Sequence, residues 1–500
     1  MENKNLLFKG KASAPFTRQS GWGHLFFLFL AVLMAFGNLF FINLLDKFTT
    51  FSYMKFGALL LVACCVFYLL SKPDIFVSTR LAIFSLIPII NFSLPPKRFD
   101  FKIFTVLLVI CFLVLFIRVL MKKKTINLIP DKLAFFFLLS ALPPVFFGFD
   151  SLNSIEHFVK VLMLDYLFFI ILYGFLSEKD AFYDIVKYLA LALIFISLGI
   201  FFEFITGINL SGDGKNFNAL RGFTRCAGFF QDPQKAAQFL AVGITFFTLL
   251  LCRNVPLGKT GSRLVSVSLF VSFIALFLTA SKNGIITAAF MSTFAVIFFN
   301  KNSTLRSAFL FFVVPLSLFM LLVFQGPITS MVLESSAGAR MTGIVQSANT
   351  RVNIWHESWL AFQNYGNVVT GVGPGNYQEM TMRADPLLRN KHEAKTEYVL
   401  NHPESGYLKI FYETGLFSLM GLFLFLLGIM YKTAKSFFAS RQTVSTSIAV
   451  SASFALVAFS FGFVTQFTVT DNRNLMIFVI MYALLSYLQK NNFSLDGYDE

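Results

Sequence analysis

About fourteen uninterrupted apolar stretches follow one another along this chain. They fall at roughly 24–45, 55–71, 75–94, 103–121, 132–149, 157–177, 183–206, 234–252, 264–280, 283–300, 307–325, 410–431, 445–468 and 473–489. Each is near the ~20 residues that a helix needs to cross a bilayer core, whereas barrel strands would alternate over segments of about ten. The remaining sequence cannot clothe a soluble body. Of 500 residues, 56% are hydrophobic and only 13% charged, where a soluble domain carries about 25%. The fold expected is an all-α polytopic membrane protein of twelve to fourteen transmembrane helices. The windows at 55–71 and 75–94 are the least regular, being short or interrupted by Arg80.

Charge gives the orientation. The net charge is +15, and anchoring of cytoplasmic loops accounts for it without nucleic acid. Lys4, Lys9, Lys11 and Arg18, then Lys122–Lys124, Lys179, Arg253, Lys259, Arg263, Lys301, Arg306, Lys432, Lys435 and Arg441 fall on one side. The turns at 150–156 and 469–473 on the other side are almost free of basic residues. Both termini are therefore expected to be cytoplasmic, with the first span as an uncleaved anchor. Lys97, Arg98 and Lys102 land on the outside and break the pattern beside the two irregular windows. The five cysteines show neither metal nor disulfide spacing.

Two outside segments are too long to be turns: 207–233 and 326–409. Four regions follow: N-terminal helices at 1–182, helices at 183–325 with the outside loop 207–233, a large loop domain at 326–409, and helices with a tail at 410–500. The large loop contains three of the five histidines, His356, His392 and His402. It predicts a helix over 351–363 with Ile354, Trp355, Trp359 and Phe362 on one face.

Polar chemistry concentrates at this side. Arg221, Arg225 and Lys235 surround a Gly-Phe-Phe-x-Asp-Pro turn, in which Asp232 would cap a helix that Pro233 opens. Arginines beside a helix N-terminus make an anion site; interfacial snorkelling is the plainer reading. Lys282, in Ser281-Lys282-Asn283-Gly284, sits at membrane depth as a functional charge or a helix cap. The segment Gly371-Val372-Gly373-Pro374-Gly375-Asn376-Tyr377 lacks a Rossmann context and reads as a ligand-approaching turn or a simple connection. His402 and Glu404 stand just before a membrane helix, and either can serve as a general base.

The order R-x-x-G-F-F-x-D-P (225–233), S-K-N-G (281–284), R-x-x-x-W (351–355), G-x-G-x-G-x-Y (371–377) and H-P-E-S-x-Y-L-x4-E-x-G (402–415) resembles the O-antigen ligase and Wzy-type polymerase superfamily over about residues 183–490. The resemblance implies a C-type architecture and a metal-independent glycosyltransferase with no cofactor. Its donor would be an undecaprenyl-pyrophosphate-linked glycan at the periplasmic face of the bacterial inner membrane. It implies pyrophosphate binding by Arg225 and Arg351, with Arg221 and Lys282 in support, and substrate contacts from Tyr407, Gly373 and Trp355. Glu404 stands three residues before Tyr407, where ligases carry a histidine, and His402 matches an upstream histidine; either Glu404 or His402 is the base. The carboxylate and the number of spans favour a polymerase of O-antigen or exopolysaccharide repeat units. The alternatives are a ligase acting on lipid A-core, a protein O-glycosylase, or, in another class, a lipid or glycan transporter. The implied partners are the lipid-linked donor, a glycan acceptor, the bilayer, a flippase and a chain-length regulator. A transporter would show mid-span charges and a two-fold repeat, and the sequence shows few of the former and none of the latter.

Overall fold

The computed structural model describes residues 93–94, 101–102, 127–177, 181–207, 225–230, 232–299, 338–385, 403–438, 443–465 and 472–491, with side chains of the long-loop helix from residue 351 onward. The windows at 24–45, 55–71, 75–94, 103–121 and 307–325 lie essentially outside these residues. Apart from a two-residue ladder pairing Ser93–Leu94 with Phe101–Lys102, the described chain is helical.

The helices are α1 Lys132–Ser140, α2 Pro143–Phe147, α3 Ser151–Phe175, α4 Ala181–Thr206, α5 Pro233–Cys252, α6 Gly258–Leu278, α7 Lys282–Phe299, α8 Gly338–Tyr365, α9 Tyr377–Ala384, α10 Gly406–Phe437, α11 Val444–Thr465 and α12 Asn472–Lys490. Among the described residues, seven are long and apolar enough to cross a membrane: α3 to α7, α10 and α11. The chain is thus an all-α polytopic membrane protein. The apolar window at 132–149 is not one helix. Pro143 and Pro144 cannot donate to a preceding turn, so the helix stops at Ser140 and restarts at Pro143. Within α3, residues Phe158–Met163 form a π-helical turn.

Helix α5 is the axis of the bundle and is buried along most of its length. Its neighbours include α7, α11, α6 and α12. Gln238 of α5 lies against Gly462 of α11 and donates to the Phe459 carbonyl at 2.8 Å. A small residue here lets the two backbones approach and leaves a bilayer-depth amide satisfied. α12 buries Met476, Ile477, Ile480, Met481 and Leu484 in the same core.

Helix α10 is kinked at Gly415, whose φ of 71° lies in the left-handed region that glycine tolerates. The kink frees backbone groups, and the 368–373 turn takes them up. Val372 and Gly373 N–H donate to the Tyr412 and Glu413 carbonyls at 2.9 and 2.8 Å, and Leu416 N–H donates to the Val368 carbonyl at 2.8 Å. On its other side the turn is stitched to α3, where Asn153 Nδ2 donates to the Gly375 carbonyl and to Asn376 Oδ1.

Candidate active site

The site lies at the end of the bundle where α5, α7, α10 and α12 begin. Asp232 caps α5, accepting the Gln234 N–H at 2.7 Å, and Pro233 occupies the first helical position. Just before it, the 225–230 loop crosses the bundle end. Arg351 projects from α8, and Glu404 precedes α10. Arg225, Asp232, Arg351 and Glu404 converge closely enough to act on one another's charge. Arg225 meets Arg351 and Glu404 here although more than 120 positions separate it from either in the chain.

Burial dominates the electrostatics of the Glu404 carboxyl. It raises the pKa; Arg351 pulls it back, Asp232 raises it further, and Arg225 lowers it. Burial likewise lowers the pKa of Arg225, while Asp232 and Glu404 favour its charge and Arg351 opposes it. The Nε of Arg225 is buried and has no hydrogen-bond partner among the described residues. A buried guanidinium nitrogen that is unpaired among the described residues is costly, so it marks a place for a further acceptor.

Glu404 has a φ of 52°, an uncommon conformation for a residue with a side chain. The preceding Pro403 carbonyl accepts the indole Nε1–H of Trp355 at 2.7 Å. Trp355 is one helical turn after Arg351, so one helix carries Arg351 into the site and ties down the backbone beside the Glu404 carboxylate. Trp355 therefore meets the protein's own chain at this bond.

Lys282 opens α7 and is half-buried. The Cys226 N–H donates to the Leu278 carbonyl at 3.2 Å, which joins the Arg225 loop to the end of α6, a few residues before Lys282. Tyr407 donates from its hydroxyl to the Ser460 carbonyl at 3.2 Å and sets its ring edge-on to Phe463. It also lines a cavity of about 360 Å³ that continues past Lys409 and Glu413 to Phe425 and Phe478. The close approach at Gly373 is made by the protein's own backbone: an added Cβ would lie 2.6 Å from Gly148 Cα and 2.5 Å from Ser154 Oγ. Arg221 and His402 lie outside the described residues. Burial pushes the Cys226 thiol to about 12, leaving it inert as a nucleophile near neutral pH.

Three contributors were not singled out from sequence. Asp232, which the sequence marks as a cap, also places its charge on both Arg225 and Glu404. Glu203, buried in the last turn of α4, and Arg473, buried at the start of α12, both bind the backbone of the 225–230 loop. An acidic residue inside an apolar window was the available signal for Glu203.

Residues 267–426 match the family model described as O-antigen ligase. The chain resembles the O-antigen ligase family. The matched stretch contains Lys282, Arg351, Trp355, Gly373, Glu404 and Tyr407, and it begins after Arg225. No curated protein matches the chain.

Proposed function

We propose that the protein polymerises undecaprenyl-pyrophosphate-linked oligosaccharide repeat units into O-antigen or exopolysaccharide. The observation that carries this reading is the convergence of Arg225, Arg351 and Glu404, with a buried Arg225 nitrogen that has no acceptor among the described residues. In the proposed step, an acceptor hydroxyl oxygen bonds to the donor's anomeric carbon as the bond from that carbon to the pyrophosphate oxygen breaks. The electron pair leaves on the pyrophosphate, where the guanidinium groups of Arg225 and Arg351 stabilise the growing charge, with Lys282 and Arg221 in support. The hydroxyl proton passes to the Glu404 carboxylate. His402, two residues earlier, orients or relays. The site faces the periplasm of the inner membrane, both termini are cytoplasmic, and a flippase and a chain-length regulator serve the same pathway. The carboxylate at the position where ligases carry histidine favours polymerase.

A second reading is supported by the family description itself: a ligase that moves finished polymer onto lipid A-core. Purified protein in nanodiscs, given lipid-linked repeat units alone, is expected to yield a ladder of lengthening products. If no ladder forms, and product appears only when lipid A-core is added, the ligase reading stands instead. Polymer formation by Glu404→Gln at the wild-type rate, with loss in His402→Ala at equal expression, would transfer the base role to His402.

A further inference from the structure

Five consecutive residues after Arg225 are gripped by three separate helices. Cys226 is tied to α6 through the Leu278 carbonyl. The Ala227 and Gly228 N–H groups both donate to one oxygen of Glu203, at 2.8 and 2.5 Å. Gly228, with a φ of 61°, turns the chain so that its N–H meets the same carboxylate as its neighbour's. The Phe229 carbonyl accepts from Arg473 Nη1 at 3.1 Å, and the Arg473 guanidinium lies 3.9 Å from the centre of the Phe230 ring. The Phe229 ring fills the space at Gly199, where an added Cβ would come within 2.3 Å.

Glu203 and Arg473 are 4% and 6% exposed. A carboxylate and a guanidinium at such depth are expensive for a membrane protein. Packing alone could hold a loop with apolar side chains. Opposed charges that bond backbone N–H and C=O groups fix its path, and so the direction in which the preceding residue, Arg225, projects. We propose that Glu203 and Arg473 are positioning residues that preorganise Arg225 for the pyrophosphate of the lipid-linked donor. The proposal rests on the reading of Arg225 as a pyrophosphate clamp, and it adds the elements that aim it. An aimed donor binds without ordering cost, which is where preorganised sites gain affinity.

The test is binding of undecaprenyl pyrophosphate to the full chain in nanodiscs, so that turnover is not needed. Glu203→Ala and Arg473→Ala are each expected to weaken binding by about 10-fold or more, the size of a lost hydrogen bond to a charged group. Arg473→Lys keeps a donor for the Phe229 carbonyl but loses the planar stack, and is expected to lose about threefold with an unchanged melting temperature. In the Arg225→Ala background, either alanine change should add less than about twofold, because the residue being aimed is gone. A purely structural role would add its full effect there. If Arg225→Ala is crippled while the Glu203 and Arg473 variants bind as wild type, or if the effects simply add, the positioning proposal is overturned and the clamp reading survives. If Arg225→Ala itself binds as wild type, the clamp reading fails first. Should the alanine variants not accumulate as folded protein, Arg473→Lys alone and in the Arg225→Ala background decides the question.

Discussion

Two charged clusters occupy opposite ends of the bundle, and they differ in whether their hydrogen bonds are closed. Where α1 begins and α10 and α12 end, Lys432 pairs with Asp131 and donates to Tyr482 Oη at 3.1 Å and Ser486 Oγ at 2.8 Å. Asp131 also caps α1 through the Leu133 and Ala134 N–H groups. Gln489 Nε2 closes over the Lys432 carbonyl at 2.5 Å. The three donors of the ammonium are satisfied by protein. At the other end, the charges of Arg225 and Arg351 both act on Glu404, yet Arg225 keeps a buried nitrogen with no partner among the described residues. Buried charge is costly in both places. Closed bonding makes one cluster a rivet between helices; under the proposed function, the open bond at the other receives the pyrophosphate.

That contrast breaks if the wrong cluster controls turnover. The largest effect is expected from Glu404→Gln, which keeps the shape but removes the proton acceptor. The kcat for polymer formation should fall by about 10²–10⁴-fold. In the wild type, burial, with Asp232 adding to it, holds the Glu404 pKa above the ordinary glutamate range despite Arg351 and Arg225. The carboxylate accepts a proton only when ionised, so kcat should drop as pH falls through that raised pKa and level off above it. Asp232→Asn keeps the cap and removes a negative neighbour, so the acid limb should move to lower pH; a limb that moves upward or stays would exclude Glu404 as the titrating base.

Arg225→Ala and Arg351→Ala come next, each expected to lower kcat/KM by about 10²–10³-fold. Lysine at either position should recover only part, since it lacks the planar fork. Lys432→Met, at the closed cluster, should cost about 3 kcal/mol of stability by leaving Asp131 unpaired. Turnover per folded molecule should not change, and a thermal melt beside a specific-activity measurement separates the two. The smallest effect is expected from Trp355→Phe, which deletes the bond to Pro403 while keeping the ring. About 1 kcal/mol, or roughly fivefold in kcat, is the size of one such bond. A change in KM alone would point to direct substrate contact by Trp355 instead.

Much of the fold was legible because bilayer thickness writes itself into hydropathy. The windows at 183–206, 234–252 and 283–300 differ by at most two residues from the bounds of α4, α5 and α7. Pro143-Pro144 inside the 132–149 window was a readable break that the hydropathy pattern masked. Within the site, the Asp232–Pro233 cap was local and therefore visible. The meeting of Arg225 with Arg351 was suggested by motif resemblance, since no spacing rule links positions so far apart. Glu203 and Arg473 escaped because their partners are backbone atoms 24 or more positions away, and backbone atoms leave no mark in sequence. The run of glycines at 371–375 reads from sequence as a ligand-approaching turn or a simple connection, and glycine does not say what approaches: at Gly373 it is Gly148 and Ser154.

The kink at Gly415 also bears on how the chain is made. Synthesis delivers residues 368–373 about forty positions before the backbone groups of 412–416 that pair with them. A straight α10 would bond the carbonyls of Tyr412 and Glu413 to the N–H groups of Leu416 and Phe417, leaving the turn nothing to hold. The bend and the turn therefore satisfy one another's backbone groups, and neither is complete until both have been made. A substitution that straightened α10 would leave the 368–373 turn without its partners, and would shift the docked stretch that lies nine residues after Glu404.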